Sequence, residues 1–175
     1  MDRDRKDALY AEANAANAAA IRRLARGYEA DPDGQRDLLQ EIYLQLWVSL
    51  DSFDGRCSLR TWVYRIAHNV GASHLVRDRR LTSRLVDLET LETRIPSIDG
   101  EAEIDRRFSA AILINLIHRL KPLDRQVILL YLEGEAAESI AAVTGITAGN
   151  VATKIHRIKS MLRQKYLKGA TDART

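Results

Sequence analysis

The sequence predicts an all-α protein: two small helical lobes joined by an acidic linker. Three observations carry that expectation. Apolar residues recur at three- and four-residue spacing through most of the 175-residue chain, and strand-like alternation persists nowhere. The three prolines, Pro32, Pro96 and Pro122, each fall near a helix boundary. Between Asp87 and Asp105 seven acids meet one base, Arg94; that stretch carries −6 of a net +3, leaving +9 on the remainder.

The first helix is expected over about Lys6 to Tyr28, where alanine abounds and favours helix. Asp31-Pro32-Asp33-Gly34 reads as a turn. A second helix over about Gln35 to Leu50 carries Leu38, Leu39, Ile42, Leu46 and Leu50 as an apolar stripe, with Tyr43 and Trp47 as an aromatic pair beside it. Phe53 to Cys57 reads as a loop. A third helix, about Leu59 to Arg80, opens with aromatics and ends in bases. These elements make a first lobe over 6–81. Residues 82–103, with Pro96, Asp99-Gly100 and most of the acids, read as a linker, largely extended or disordered. The second lobe spans 104–169. Its first helix presents Phe108, Ile112, Leu113, Leu116, Ile117 and Leu120. Pro122 then suits the first turn of another helix, which Gly134 ends.

Ala136 to Lys165 reads as a helix-turn-helix. Ile140, Ala141 and Val143 belong to a short helix. Gly145 stands where the chain must turn left-handed, Ile146 plugs the interhelical angle, and the Thr147 hydroxyl is placed to cap the next helix. Val151, Ile155, Ile158 and Leu162 then make an inward stripe, leaving Ala152, Thr153, Lys154, His156, Arg157, Lys159 and Arg163 outward. No acid occurs between Ser139 and Thr171, so this surface suits a polyanion. A helix fits the major groove, its early residues on base edges and its bases on phosphates.

The second basic cluster lies in the first lobe, where Arg56, Arg60, Arg65, Arg77, Arg79, Arg80 and Arg84 stand against Asp78. Trp62 and Tyr64 sit among these bases just past a glycine-containing loop, a combination suited to unstacked bases of single-stranded nucleic acid. Asn69 offers both donor and acceptor to a base edge. Trp62 and Ile66, four apart, fit a core role equally well.

Other functions find no support in these residues. No apolar run approaches the ~20 residues of a membrane helix, and the charged start is no secretory signal, so a cytoplasmic protein is expected. Cys57 is the single cysteine. His68, His74, His118 and His156 show no metal-ligand spacing, and neither a phosphate-binding glycine loop nor a catalytic triad is visible. No cofactor, small-molecule substrate or enzymatic activity is expected.

From about Ala8 to Leu167 the chain resembles a sigma factor of the extracytoplasmic-function (ECF) group. Asp37-Leu38-Leu39-Gln40-Glu41-Ile42 followed by Leu46-Trp47 resembles the helix that docks on the polymerase clamp. Phe53-Asp54-Gly55 and the run from Ser58 to Asn69 resemble the segment that melts and reads the minus-ten element. Leu120-Lys121-Pro122-Leu123-Asp124-Arg125 and the Gly145 to Arg163 helix resemble the minus-thirty-five reader. The resemblance implies a transcription initiation factor that binds core RNA polymerase, directs it to promoters and promotes DNA melting under the control of an anti-sigma partner. It assigns Asp37, Gln40, Glu41 and Trp47 to polymerase. It assigns Phe53, Arg56, Arg60, Trp62, Arg65 and Asn69 to minus-ten DNA, and Thr153, Lys154, His156, Arg157 and Lys159 to minus-thirty-five DNA. The acid run usual before Leu38 is here Gly34-Gln35-Arg36-Asp37, and Ala152 stands where relatives often carry a base. Two other readings stay open: a dimeric helix-turn-helix regulator of duplex DNA, and a helical decoy that binds an anti-sigma protein without DNA.

Overall fold

Helix α1 (Arg3–Tyr28) begins where the Asp2 carboxylate accepts the Arg3 amide at 2.8 Å. In this computed structural model, residues 2–85 and 101–172 are described; among them lie seven α-helices, one short 3-10 turn and no strand. Helix α2 runs Pro32–Ser49. The expected turn at Asp31 to Gly34 is instead its N-terminus. Pro32 takes the first helical position, where its missing N–H costs nothing, and the Asp31 carboxylate accepts the Gly34 amide at 2.8 Å. The 3-10 turn Leu50–Ser52 leads through a loop into α3 (Leu59–Leu85), which passes the expected end at Arg80.

Three helices form the first lobe's core. Ile21, Leu24 and Tyr28 of α1, Leu38, Ile42 and Leu46 of α2, and Val63, Ala67 and Val70 of α3 are buried together, each large apolar side chain contributing about 1.5–3 kcal/mol. Gly71 lets α1 and α3 approach closely: a Cβ there would lie 2.6 Å from the Tyr28 ring. Trp47 does not take Tyr43 as its ring partner; it meets Tyr10 of α1 edge-on at 5.2 Å, with the Lys6 ammonium 4.6 Å from its ring centre.

The second lobe holds α4 (Glu101–His118), α5 (Pro122–Leu132), α6 (Ala137–Thr144) and α7 (Ala148–Asp172). Ile117, Val127, Ile128, Leu130, Ile140, Val143, Val151, Ile158 and Leu162 are buried. The helix-turn-helix has the form its sequence predicts. Gly145 is left-handed with φ 76°, the Asn150 amide donates to the Thr147 hydroxyl at 3.3 Å, and Ile146 packs against the core.

The lobes meet along a seam. Arg23 pairs with Glu133 through Nε and Nη2 at 2.7 and 2.6 Å, and Arg60 pairs with Glu135 at 2.7 Å. Buried Arg125 donates to the Tyr28 carbonyl at 3.2 Å and to the His118 carbonyl. His118 Nε2 donates to the Arg26 carbonyl at 2.8 Å. Leu129 fills the space above Gly27, where a Cβ would come within 2.5 Å of its methyl. Most of the expected linker falls on residues 86–100, outside the described residues; its two ends, 82–85 and 101–103, continue α3 and α4 as helix.

Candidate nucleic-acid interface

The exposed face of α7 starts directly after the turn that Gly145 makes. Thr153, His156, Arg157 and Lys159 are exposed on it, opposite buried Val151, Ile158 and Leu162. The Thr153 hydroxyl donates back to the Gly149 carbonyl at 3.0 Å. Lys159 Nζ lies 5.0 Å from the Tyr131 ring centre and donates to its hydroxyl at 3.1 Å. Lys154 differs from the outward placement its spacing predicts. Its ammonium turns back to α5 and donates to one Asp124 carboxylate oxygen at 2.6 Å, while Arg157 donates to the other at 3.2 Å. Helical geometry explains this: position 154 borders the inward stripe, within reach of the neighbouring helix.

The first-lobe residues divide into three settings. Arg56 and Asn69 are exposed, Arg56 beside Asp54 at 3.0 Å. Phe53 and Trp62 are half-buried and tilt against each other at 5.4 Å, and the Trp62 indole N–H donates to Ser49 Oγ at 3.1 Å. Arg60 and Arg65 reach across the seam, Arg60 to Glu135 and Arg65 to the Ala142 carbonyl at 3.1 Å. Tyr64 does not stand free among the bases as its surroundings in the sequence suggest. It is buried, because it shares the inward face of α3 with Val63, Ala67 and His68. Burial pushes its hydroxyl above the ordinary tyrosine value. The Glu135 hydrogen bond raises the Arg60 guanidinium, and the Glu41 hydrogen bond raises that of Arg77, so both stay charged.

On α2, Asp37 and Gln40 are exposed; Glu41 accepts from Arg77 of α3 at 2.5 Å, and Trp47 is half-covered by Tyr10. Two residues on this outer side escaped sequence reasoning. Leu44 and Val48 are 59% and 54% exposed. With Asp37 and Glu41 they recur at four, three and four residues, so one helical face carries both acids and uncovered apolar groups. The signal was present in that spacing, one step round from the inward stripe of Leu38, Ile42 and Leu46.

Among the described residues, no cluster of three or more His, Cys, Asp or Glu side chains could hold a metal ion, and no helix is long and apolar enough to cross a membrane.

Comparison with known proteins places this geometry in context. The sigma-70 region 2 family matches residues 15–81, and the sigma-70 region 4 family matches 110–162. The ECF RNA polymerase sigma factor SigC of Mycobacterium tuberculosis is 30% identical over 138 residues, 77% of this chain and 71% of that protein. The ECF RNA polymerase sigma-E factor of Haemophilus influenzae is 28% identical over 146 residues, 74% of this chain and 72% of that protein. The sigma factor RpoE of Bartonella quintana, solved with the anti-sigma factor NepR, superposes with a TM-score of 0.69 at 22% identity, covering 91% of this chain and 96% of that one. CnrH, solved with the cytosolic domain of CnrY, gives 0.59 at 22%, covering 95% and 89%.

Proposed function

The chain belongs to the ECF group of RNA polymerase sigma factors, and from that membership we propose a division of labour among its residues. One observation supports it: the assigned residues stand on separate lobes, Thr153, His156, Arg157 and Lys159 on the helix-turn-helix, and Arg56, Arg60, Trp62, Arg65 and Asn69 on α3 and the loop before it. Thr153, His156 and Arg157 of α7 read the minus-thirty-five duplex in its major groove, and Lys159 lies on flanking phosphate. Phe53, Arg56, Arg60, Trp62, Arg65 and Asn69 capture a base of the opened non-template strand. Flipping a base out of duplex costs a few kcal/mol, which contacts in that pocket offset. Asp37, Gln40, Glu41, Leu44 and Val48 of α2 make the polymerase-facing side; Trp47, covered by Tyr10, supports that helix from beneath. The chain performs no bond chemistry itself and acts in the cytoplasm.

Arg60 and Arg65 are engaged across the seam, so the lobes separate when polymerase and promoter are bound. Exposed ion pairs of the Arg23–Glu133 kind are worth about 0–1 kcal/mol each, a modest barrier for a polymerase interface to overcome. An anti-sigma protein holds the chain inactive. The proteins solved with NepR and with CnrY support that expectation, as does the open apolar groove of about 940 Å³ beside exposed Tyr131 and Leu132. A dimeric duplex regulator is disfavoured by the single-strand face on α3, and a DNA-free decoy by the basic face of α7.

Run-off transcription with purified core polymerase on genomic templates tests the proposal; failure to associate with core, or to create any specific start site, overturns it. Arg157→Ala is expected to lower promoter-specific transcription about tenfold or more while core binding persists, since a groove contact is worth about 1–3 kcal/mol of discrimination. Equal transcription by parent and variant would remove Arg157 from the reader. Asn69→Ala is expected to impair DNA opening more than duplex binding. Unchanged permanganate reactivity of the melted region would contradict its role.

A further inference from the structure

We infer that Asp124 is a positioning residue that sets the specificity of the α7 reader, by restraining one cation and aiming another. The inference rests on the assignment of α7 to duplex DNA. Asp124 sits near the start of α5 with its side chain 12% exposed, and both carboxylate oxygens are used. Oδ1 accepts from Lys154 Nζ at 2.6 Å, and Oδ2 accepts from Arg157 Nη2 at 3.2 Å. Lys154 and Arg157 are three residues apart on one helix, so without a shared anion they would repel.

The two cations are not treated alike. The Lys154 side chain is 25% exposed and Arg157 is 68% exposed. The carboxylate therefore neutralises Lys154 and holds it off the DNA-facing surface. It touches only one nitrogen of Arg157, whose other donors remain outward. A small cleft of about 230 Å³, lined by Ile146, Asn150, Thr153, Lys154 and Arg157, opens at this point.

The physical consequence is a trade of affinity for selectivity. A free lysine would release counterions on any duplex, strengthening binding without reading sequence. A guanidinium fixed at one end presents its remaining fork in a defined direction, which bidentate recognition of a base edge requires. Asp124 suppresses the first effect and promotes the second.

The test uses holoenzyme assembled from the full chain and core polymerase. One duplex carries the upstream element of a promoter mapped by run-off transcription; a second carries that element scrambled. Each is followed by fluorescence anisotropy through a salt titration. Asp124→Asn is expected to bind the scrambled duplex more tightly than the parent. Its log affinity against log salt should be steeper by about one, and its preference for the mapped element should fall by roughly tenfold. Adding Lys154→Met to Asp124→Asn should restore the parental slope but leave the preference low, because Arg157 still lacks its anchor. Asp124→Glu should retain both parental values.

Parental slope and preference in Asp124→Asn would overturn the inference. So would an equal loss of affinity for both duplexes, which indicates a packing role alone. Should Asp124→Asn fail to fold, Lys154→Met by itself decides: a lysine already neutralised adds no counterion release, so the slope holds, and a slope shallower by about one refutes the restraint. A parent holoenzyme that does not distinguish the two duplexes would overturn the assignment of α7 to DNA, and the inference with it.

Discussion

Replacing Arg125 with methionine is expected to lower the unfolding free energy by about 2–5 kcal/mol and to part the two lobes. Arg125 is buried, and its guanidinium donates to the carbonyls of Tyr28 and His118, the last residues of α1 and α4. Helix geometry leaves the final carbonyls of any helix without intrahelical donors, and the macrodipole favours a positive charge there. One side chain thus caps two helices that belong to different lobes. Methionine keeps much of the stem volume, so the cavity is small, but each buried carbonyl left unpaired costs about 1–3 kcal/mol. The α1 end keeps the His118 contact to the Arg26 carbonyl, which limits the loss on that side. Denaturant unfolding measures the stability term, and the radius of gyration from small-angle scattering measures the separation. An unchanged midpoint would show that these carbonyls do not depend on Arg125. A lower midpoint with unchanged dimensions would confine its role to the second lobe.

The lobe contact gives the sigma-factor reading a definite starting state. Arg60 and Arg65, assigned to the opened strand, are occupied by Glu135 and the Ala142 carbonyl. Leu44, Val48, Asp37 and Gln40 stay exposed. Under the proposed assignment, the side given to polymerase is thus exposed while the side given to the opened strand is engaged, an order in which core binding would precede DNA opening. The seam combines exposed ion pairs with one buried arginine, and the buried group carries most of the difference.

Periodic features were legible in the sequence. The Val151, Ile155, Ile158, Leu162 stripe and the glycine at 145 fixed the helix-turn-helix, because each records a local requirement of backbone or face. The start of α2 is not legible in the sequence, since a proline flanked by aspartates serves a turn and a helix N-terminus equally well; only the Gly34 amide meeting Asp31 decides between them. The basic neighbours of Tyr64 point outward, but its helical phase with Val63, Ala67 and Val70 puts it on the inward side. The Lys154–Asp124 pair and the Arg125 bridge to Tyr28 join residues 30 and 97 positions apart. No local pattern encodes such pairs; they arise from how α5 lies against α7 and α1.

Acidification from pH 6.5 to 5 is expected to cost about 2 kcal/mol of stability through His68 alone. His68 is buried on α3 where the lobes meet, beside a cavity lined by Leu24 of α1 and Leu129 of α5, and burial lowers its imidazole from the ordinary value of 6.5 to about 3. The Tyr28 hydroxyl lies 3.0 Å from its Nδ1, while Nε2 has no protein partner. A protonated ring would have to keep an N–H at that unpartnered position, which burial penalises further. Between pH 6.5 and about 3 the unfolded chain holds a proton on His68 that the fold does not, so stability rises with pH across that window. The contribution is complete above 6.5 and is lost as pH falls below it, reaching roughly 4–5 kcal/mol near pH 3. His118 is also lowered, chiefly by burial, and acts with the same sign. Glu29 is lowered from 4.5, so its own loss begins only below that value. Thermal melts between pH 7.5 and 5 should therefore show a falling midpoint that starts near 6.5, above the carboxylate range. A flat midpoint down to pH 5 would mean that His68 accepts its proton inside the fold. In that case NMR titration would find the His68 ring titrating near 6.5, and the enclosure by Tyr28 and Tyr64 would have to open to water.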